Sequence, residues 1–216
     1  INMQNITKNK REIWIYKNKN LIYILILLSV LISLYYFLYF NTRTQIAIIV
    51  AGSIAGLYPF GLRRIPFLKI FLICGVWTIV TSLIIFLEND ILITQDELLH
   101  LTSRFAFIFA ITIPFDIRDM HLDHQKLNTI PILVGEKKAK IISYLLMIIS
   151  ALIYGVLVYD NHIPKKHFFG ILLAFSIASI LIYQSHHKRD EKYFSFWIES
   201  TSIIFCLILM LSSWIV

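Results

Sequence analysis

The chain has 216 residues, 58% of them hydrophobic and only 15% charged, with a mean hydropathy of +0.74. A soluble domain of this size is about 45–50% apolar and about a quarter charged, so a water-soluble globular fold is excluded. The net charge of +7 would mark a nucleic-acid binder among soluble proteins. In a membrane chain it is the excess of Lys and Arg that cytoplasmic loops carry, and no nucleic-acid partner is expected.

The predicted elements are all helical and read as a single domain over 1–216, an all-α polytopic transmembrane bundle. Seven apolar runs read as spans: 21–40, 45–62, 66–87, 98–115, 139–159, 167–183 and 194–216. The first, LIYILILLSVLISLYYFLYF, is too long for a core helix and right for a bilayer. It follows a polar stretch and exceeds the apolar region of a signal peptide, so no cleavable signal is read. The second and sixth runs are short and rely on packing against neighbours. Pro59, Pro66 and Pro114 fall near span ends, where a missing backbone donor costs least. Cys74 and Cys206 lie inside apolar runs with no local partner, which indicates neither a disulfide framework nor a metal knuckle.

Charge orients the spans. Five Lys or Arg fall in 1–20, three in 61–69, five in 116–140 and three in 184–193, together sixteen of the twenty basic residues. The alternate loops hold only Arg43, Lys165 and Lys166, and ENDILITQDE (88–97) is purely acidic. The basic loops therefore face the cytoplasm. The expected location is integral, in a bacterial inner membrane, with the N-terminus inside.

One stretch carries chemistry: FDIRDMHLDHQKLNTIPILVGEKKA, residues 115–139. As a helical continuation of the fourth span it places Asp116, Asp119 and Asp123 at i, i+3 and i+7 on one face. Three carboxylates so placed repel one another unless a cation is shared between them. Hard oxygen donors suit Mg²⁺, which favours one or two carboxylates plus substrate phosphates. The alternative is a solvated loop whose aspartates balance Arg118, Lys126 and nearby lysines.

The rest of the stretch resembles the second aspartate motif of the UbiA superfamily of intramembrane prenyltransferases: D-x-x-D-x-x-x-D, a short spacer, T-L-P and a later Gly. Asp116, Asp119, Asp123, Thr129, Pro131 and Gly135 take those places. Lys126 stands where the family has Gly, the spacer is one residue shorter, and His124 replaces a frequent Arg. A second segment, LYPFGLRRIPFLK (57–69), resembles the family's tyrosine-proline and basic loop. The resemblance implies a nine-helix bundle, of which seven spans would be visible here with two N-terminal helices missing. The family's first aspartate motif then lies upstream of Ile1 or is degenerate, since INMQNITKNKREIW contains no Asp.

The resemblance further implies transfer of an isoprenoid chain from a polyprenyl diphosphate to a lipophilic, often aromatic acceptor. Asp116, Asp119 and Asp123 would be catalytic and would hold Mg²⁺, with Asp119 and Asp123 foremost. Tyr58, Arg63, Arg64, Lys69 and Lys126 would bind substrate, Arg as a fork and Lys as a point charge toward phosphate. A silent, lipid-binding scaffold of the same fold is the alternative. A CDP-alcohol phosphotransferase is excluded, because its D-G-x-x-A-R element is absent before Asp119.

Two charges fall inside spans. Arg104 lies about 10 Å from the outer end of the fourth span and reads as a side chain snorkelling to the interface. Glu199 lies about 8 Å into the last span from the inner end, facing a cavity or a structural partner. His100, Trp77 and the many Phe and Tyr side chains read as packing or interface residues.

Overall fold

The computed structural model describes residues 13–60, 65, 68–120 and 129–214. The described residues contain helices and connecting turns and no strand. Eight helices follow in order: α1 (Lys19–Phe37), α2 (Thr42–Leu57), α3 (Leu68–Glu88), α4 (Gln95–Asp119), α5 (Ile130–Val134), α6 (Glu136–Tyr159), α7 (Lys165–Gln184) and α8 (Tyr193–Trp214). Six of them, α1, α3, α4, α6, α7 and α8, are long and apolar enough to cross a membrane. The protein is therefore a polytopic helical membrane bundle. The second predicted span, 45–62, starts earlier and stops sooner, as the 16-residue α2 followed by a 3₁₀ turn at Tyr58–Phe60. At 1.5 Å per residue it is about 24 Å long, short of a hydrocarbon layer of about 30 Å.

The chain divides into two compact units, residues 1–45 and 46–216. In the first, α1 has no buried residue. The turn after α1 is tied by the Gln45 side-chain amide donating to the Phe37 carbonyl at 3.1 Å, and by Asn41 Oδ1 accepting from the Thr44 amide at 2.9 Å. These bonds satisfy backbone groups that a helix end leaves open.

The second unit is organised on α4. Thr94 and Glu97 form a reciprocal capping box at its start, with Asp96 and Glu97 in the first turn, where the helix dipole favours negative charge. From Ala106 to Ile117 α4 is buried all round, with only Phe115 partly exposed, as befits a helix at the centre of the unit. Its closest partner is α6, and the two meet through small residues. Ser103 and Ser150 are both fully buried, with hydroxyls 2.8 Å apart, and each also donates to the other's backbone carbonyl, at 3.0 and 2.9 Å. Small, hydrogen-bonding residues let membrane helices approach closely without an unsatisfied polar group.

A stack of rings joins α4 to α7 and α8. Phe107, Phe175 and Phe205 lie with centroids 5.1–5.8 Å apart and near-parallel planes, an arrangement that adds to simple area burial. Gly170 on α7 lets α8 come close; a Cβ there would stand 3.2 Å from Ile208. At one end of the unit α4, α6, α7 and α8 are further joined by His162–Asp96 at 2.9 Å and His167–Ser212 at 2.6 Å.

Arg104 departs from the snorkelling expected of it. Its guanidinium turns into the bundle, donates to Thr81 Oγ1 at 3.3 Å, and lies 5.5 and 5.6 Å from the ring centroids of Phe107 and Phe205. Aromatic faces and a hydroxyl supply a partly desolvated guanidinium with partners that lipid lacks. His100, one turn earlier on α4, packs edge-on against Phe86 and Tyr154, as a packing residue should.

Candidate functional site

The candidate site occupies the opposite end of the second unit, where α4 ends and α3 begins. The α4 helix continues through Pro114, which is fully buried inside it, and ends at Asp119. Asp116 and Asp119 thus both lie on the last turn of a membrane helix, one turn apart and on one face. Asp116 is only 2% exposed.

A carboxylate cannot be buried at the edge of an apolar bundle without compensation. The first turn of α3 provides it: Lys69 Nζ stands 2.8 Å from Asp116 Oδ1, with side-chain exposures of 15% and 3%. Beside this pair, Arg118 grips Asp119 with two bonds, Nε to Oδ1 at 2.7 Å and a terminal nitrogen to Oδ2 at 3.1 Å. That forked geometry is the strong form of charge-assisted hydrogen bonding. The same guanidinium lies 5.5 Å from the Phe115 ring centroid and 5.8 Å from that of Phe194. Phe194 arrives from α8, whose first turn, Tyr193–Ile198, is π-helical and packs on α4. Such turns re-aim side chains at functional positions. Glu191 and Glu199 add negative charge around Arg118, and the Glu199 side chain is exposed.

Among the predicted site residues, Lys69, Asp116 and Asp119 are brought together. Tyr58 is half-buried elsewhere, in an apolar groove of about 180 Å³ formed with Ile54, Ala55, Leu72, Ile73, Val76 and Trp77. Arg63, Arg64, Asp123 and Lys126 lie outside the described residues, as does His124. Arg118 is the residue that sequence reasoning passed over. It entered only as charge balance, although its place between the two aspartates of DIRD was the signal.

The TIP and Gly elements have clear local roles. Thr129 begins α5 in extended conformation and Pro131 follows in its first turn, where proline's missing N–H costs nothing. Both are buried, and the Thr129 hydroxyl has no hydrogen-bond partner among the described residues. Gly135 takes φ +82 and ψ 158 between α5 and α6, a region open almost only to glycine.

The carboxylate donors are hard oxygens one turn apart, with cations already drawn to them, and this set fits Mg²⁺ rather than a soft metal.

No curated protein matches the chain, and no solved structure does. The profile of the UbiA prenyltransferase family matches residues 17–211, which takes in every helix from α1 to α7 and most of α8. The chain belongs to the UbiA prenyltransferase family.

Proposed function

We propose that the protein is an intramembrane prenyltransferase that moves an isoprenoid chain from a polyprenyl diphosphate to a lipophilic, often aromatic acceptor, with Mg²⁺ at Asp116, Asp119 and Asp123. The observation that carries the reading is the pair of adjacent carboxylate–cation contacts, Lys69–Asp116 and Arg118–Asp119, at the end of a buried membrane helix. On this reading the site opens at the cytoplasmic face of a bacterial inner membrane, an orientation that the excess of Lys and Arg in the adjoining loops supports.

Each group has a task. Asp116 and Asp119 would hold the metal and, through it, the diphosphate. Lys69 and Arg118 place positive charge where the leaving diphosphate gathers negative charge, and the family resemblance assigns the same task to Arg63, Arg64 and Lys126. Bound Mg²⁺ would add Lewis-acid stabilisation of that leaving group. The prenyl chain extends into apolar space, where exclusion of water protects an allylic cation from hydrolysis until the acceptor attacks. Arg118 already lies 5.5 and 5.8 Å from the ring centroids of Phe115 and Phe194, so aromatic contacts support it as it turns from Asp119 toward phosphate.

A second reading is kept alive by one observation. Both described carboxylates are already satisfied by cations, which is also how a silent, lipid-binding scaffold would neutralise them. Membranes carrying the full-length protein, given an allylic diphosphate and a quinone-precursor acceptor mixture, separate the two. The enzyme reading expects a Mg²⁺-dependent prenylated product that is lost in Asp119→Asn. Diphosphate binding without product would establish the scaffold.

A further inference from the structure

We propose that Glu136, His186 and His187 form a second metal site, for a borderline divalent ion with Zn²⁺ foremost, that clips the loop between α7 and α8 to the start of α6. The donor atoms of these three side chains lie within 4.8 Å of one another. Tetrahedral bonds of about 2.1 Å put donors roughly 3.4 Å apart, so shifts of about an ångström, opening the Glu136–His187 contact and closing the wider separations, separate this cluster from a coordination shell.

The carboxylate is placed by the backbone. Glu136 is the first residue of α6, directly after the turn at Gly135, and its side chain is 19% exposed. Its two oxygens do different work. Oε2 stands 2.8 Å from His187 Nδ1, while Oε1 stands 3.1 Å from Lys140 Nζ. A metal entering on the Oε2 side leaves Lys140 in place on Oε1 and on the Tyr183 carbonyl, to which it donates at 3.1 Å.

The imidazoles are held in position. Their rings stack with centroids 4.3 Å apart and planes 30° from parallel. His186 Nδ1 accepts from the Lys188 amide at 3.1 Å, which requires a lone pair on that nitrogen. Coordination through it exchanges one weak bond to a loop amide for a metal bond. Two imidazoles and one carboxylate suit Zn²⁺ and its neighbours far better than Mg²⁺. The site is therefore distinct in chemistry from the aspartates. Its histidines are adjacent in the chain, but the carboxylate lies fifty residues earlier, so no motif spacing marks it.

The test uses tag-free, full-length protein in nanodiscs, titrated with Zn²⁺ against a chromophoric chelator and with Co²⁺ by visible absorption. One ion per chain is expected, with ligand-field bands from Co²⁺. His187→Ala and Glu136→Gln should each weaken binding by more than the roughly 10–100-fold loss that follows from disturbing an outer partner. Lys140→Ala, which removes a competing cation, should bind Zn²⁺ at least as tightly as wild type, and this separates ligation from mere misfolding. Asp119→Asn should leave Zn²⁺ binding unchanged. Equal binding in wild type and the His186→Ala/His187→Ala double variant, or no Co²⁺ bands in wild type, would overturn the site.

Discussion

Lys69 and Asp116 meet at 2.8 Å although forty-seven residues separate them in sequence. One begins α3 and the other closes α4, so the contact requires the two helices to be antiparallel with their ends level. Breaking a buried pair by removing one partner leaves an uncompensated charge and costs about 3–5 kcal/mol, whereas replacing both partners by apolar groups can be near neutral. Lys69→Ala should therefore lower stability by about 3 kcal/mol. Lys69→Met combined with Asp116→Leu should recover part of that loss without restoring diphosphate binding. Thermal unfolding in nanodiscs and a binding assay, run on the same samples, check both statements.

Charge balance around the aspartates gives a second expectation. With Lys69 and Arg118 already on the carboxylates, Mg²⁺ should bind weakly alone and much more tightly together with a diphosphate. Calorimetric titration of Mg²⁺, with and without inorganic diphosphate, reads this directly. Equal affinities in the two titrations would contradict it.

Gly135 isolates a purely conformational effect. A Cβ there meets nothing within 4 Å, yet φ is +82. Gly135→Ala should thus destabilise by about 1–3 kcal/mol through backbone strain alone, shifting the melting temperature without blocking the site sterically. A melting temperature equal to wild type would mean that this turn is not required.

Arg104 lies fifteen residues before Asp119 on the same helix, which is about 22 Å at the helical rise. Arg104→Ala should lower stability, because the guanidinium loses Thr81, Phe107 and Phe205. Diphosphate affinity should stay within about twofold of wild type, since the Coulomb interaction falls off with distance and Arg104 touches none of the described site residues. A parallel loss of affinity and stability would show that Arg104 belongs to the substrate path.

The sequence was most legible where one physical signal dominates. Long apolar runs marked the spans, and the i, i+3 spacing of Asp116 and Asp119 correctly put them on one face of a helix that continues past the fourth span. Thr129, Pro131 and Gly135 were readable through the resemblance to the family's motif, and proline at a helix start and positive φ at Gly135 give two of them their local roles. The rest depended on packing. Nothing in the residues around Arg104 says whether it turns to lipid or to the bundle; Phe107 and Phe205, a hundred residues apart, decide that together. Likewise, Arg118 and Lys69 carry the same charge as any positive-inside anchor, and only helix ends at the same level convert them into partners of Asp119 and Asp116. The 16-residue α2 was read too long because its apolar run continues into the Tyr58–Phe60 turn.

The most direct test of the central claim is Mg²⁺-dependent binding of a polyprenyl diphosphate to the full-length protein in nanodiscs. Wild type, Asp119→Ala and Asp123→Ala would be compared, with unfolding measured in parallel. The account predicts saturable binding that is abolished by chelating Mg²⁺ and lost in both folded variants. Binding that is unchanged in both variants, or indifferent to Mg²⁺, would contradict it.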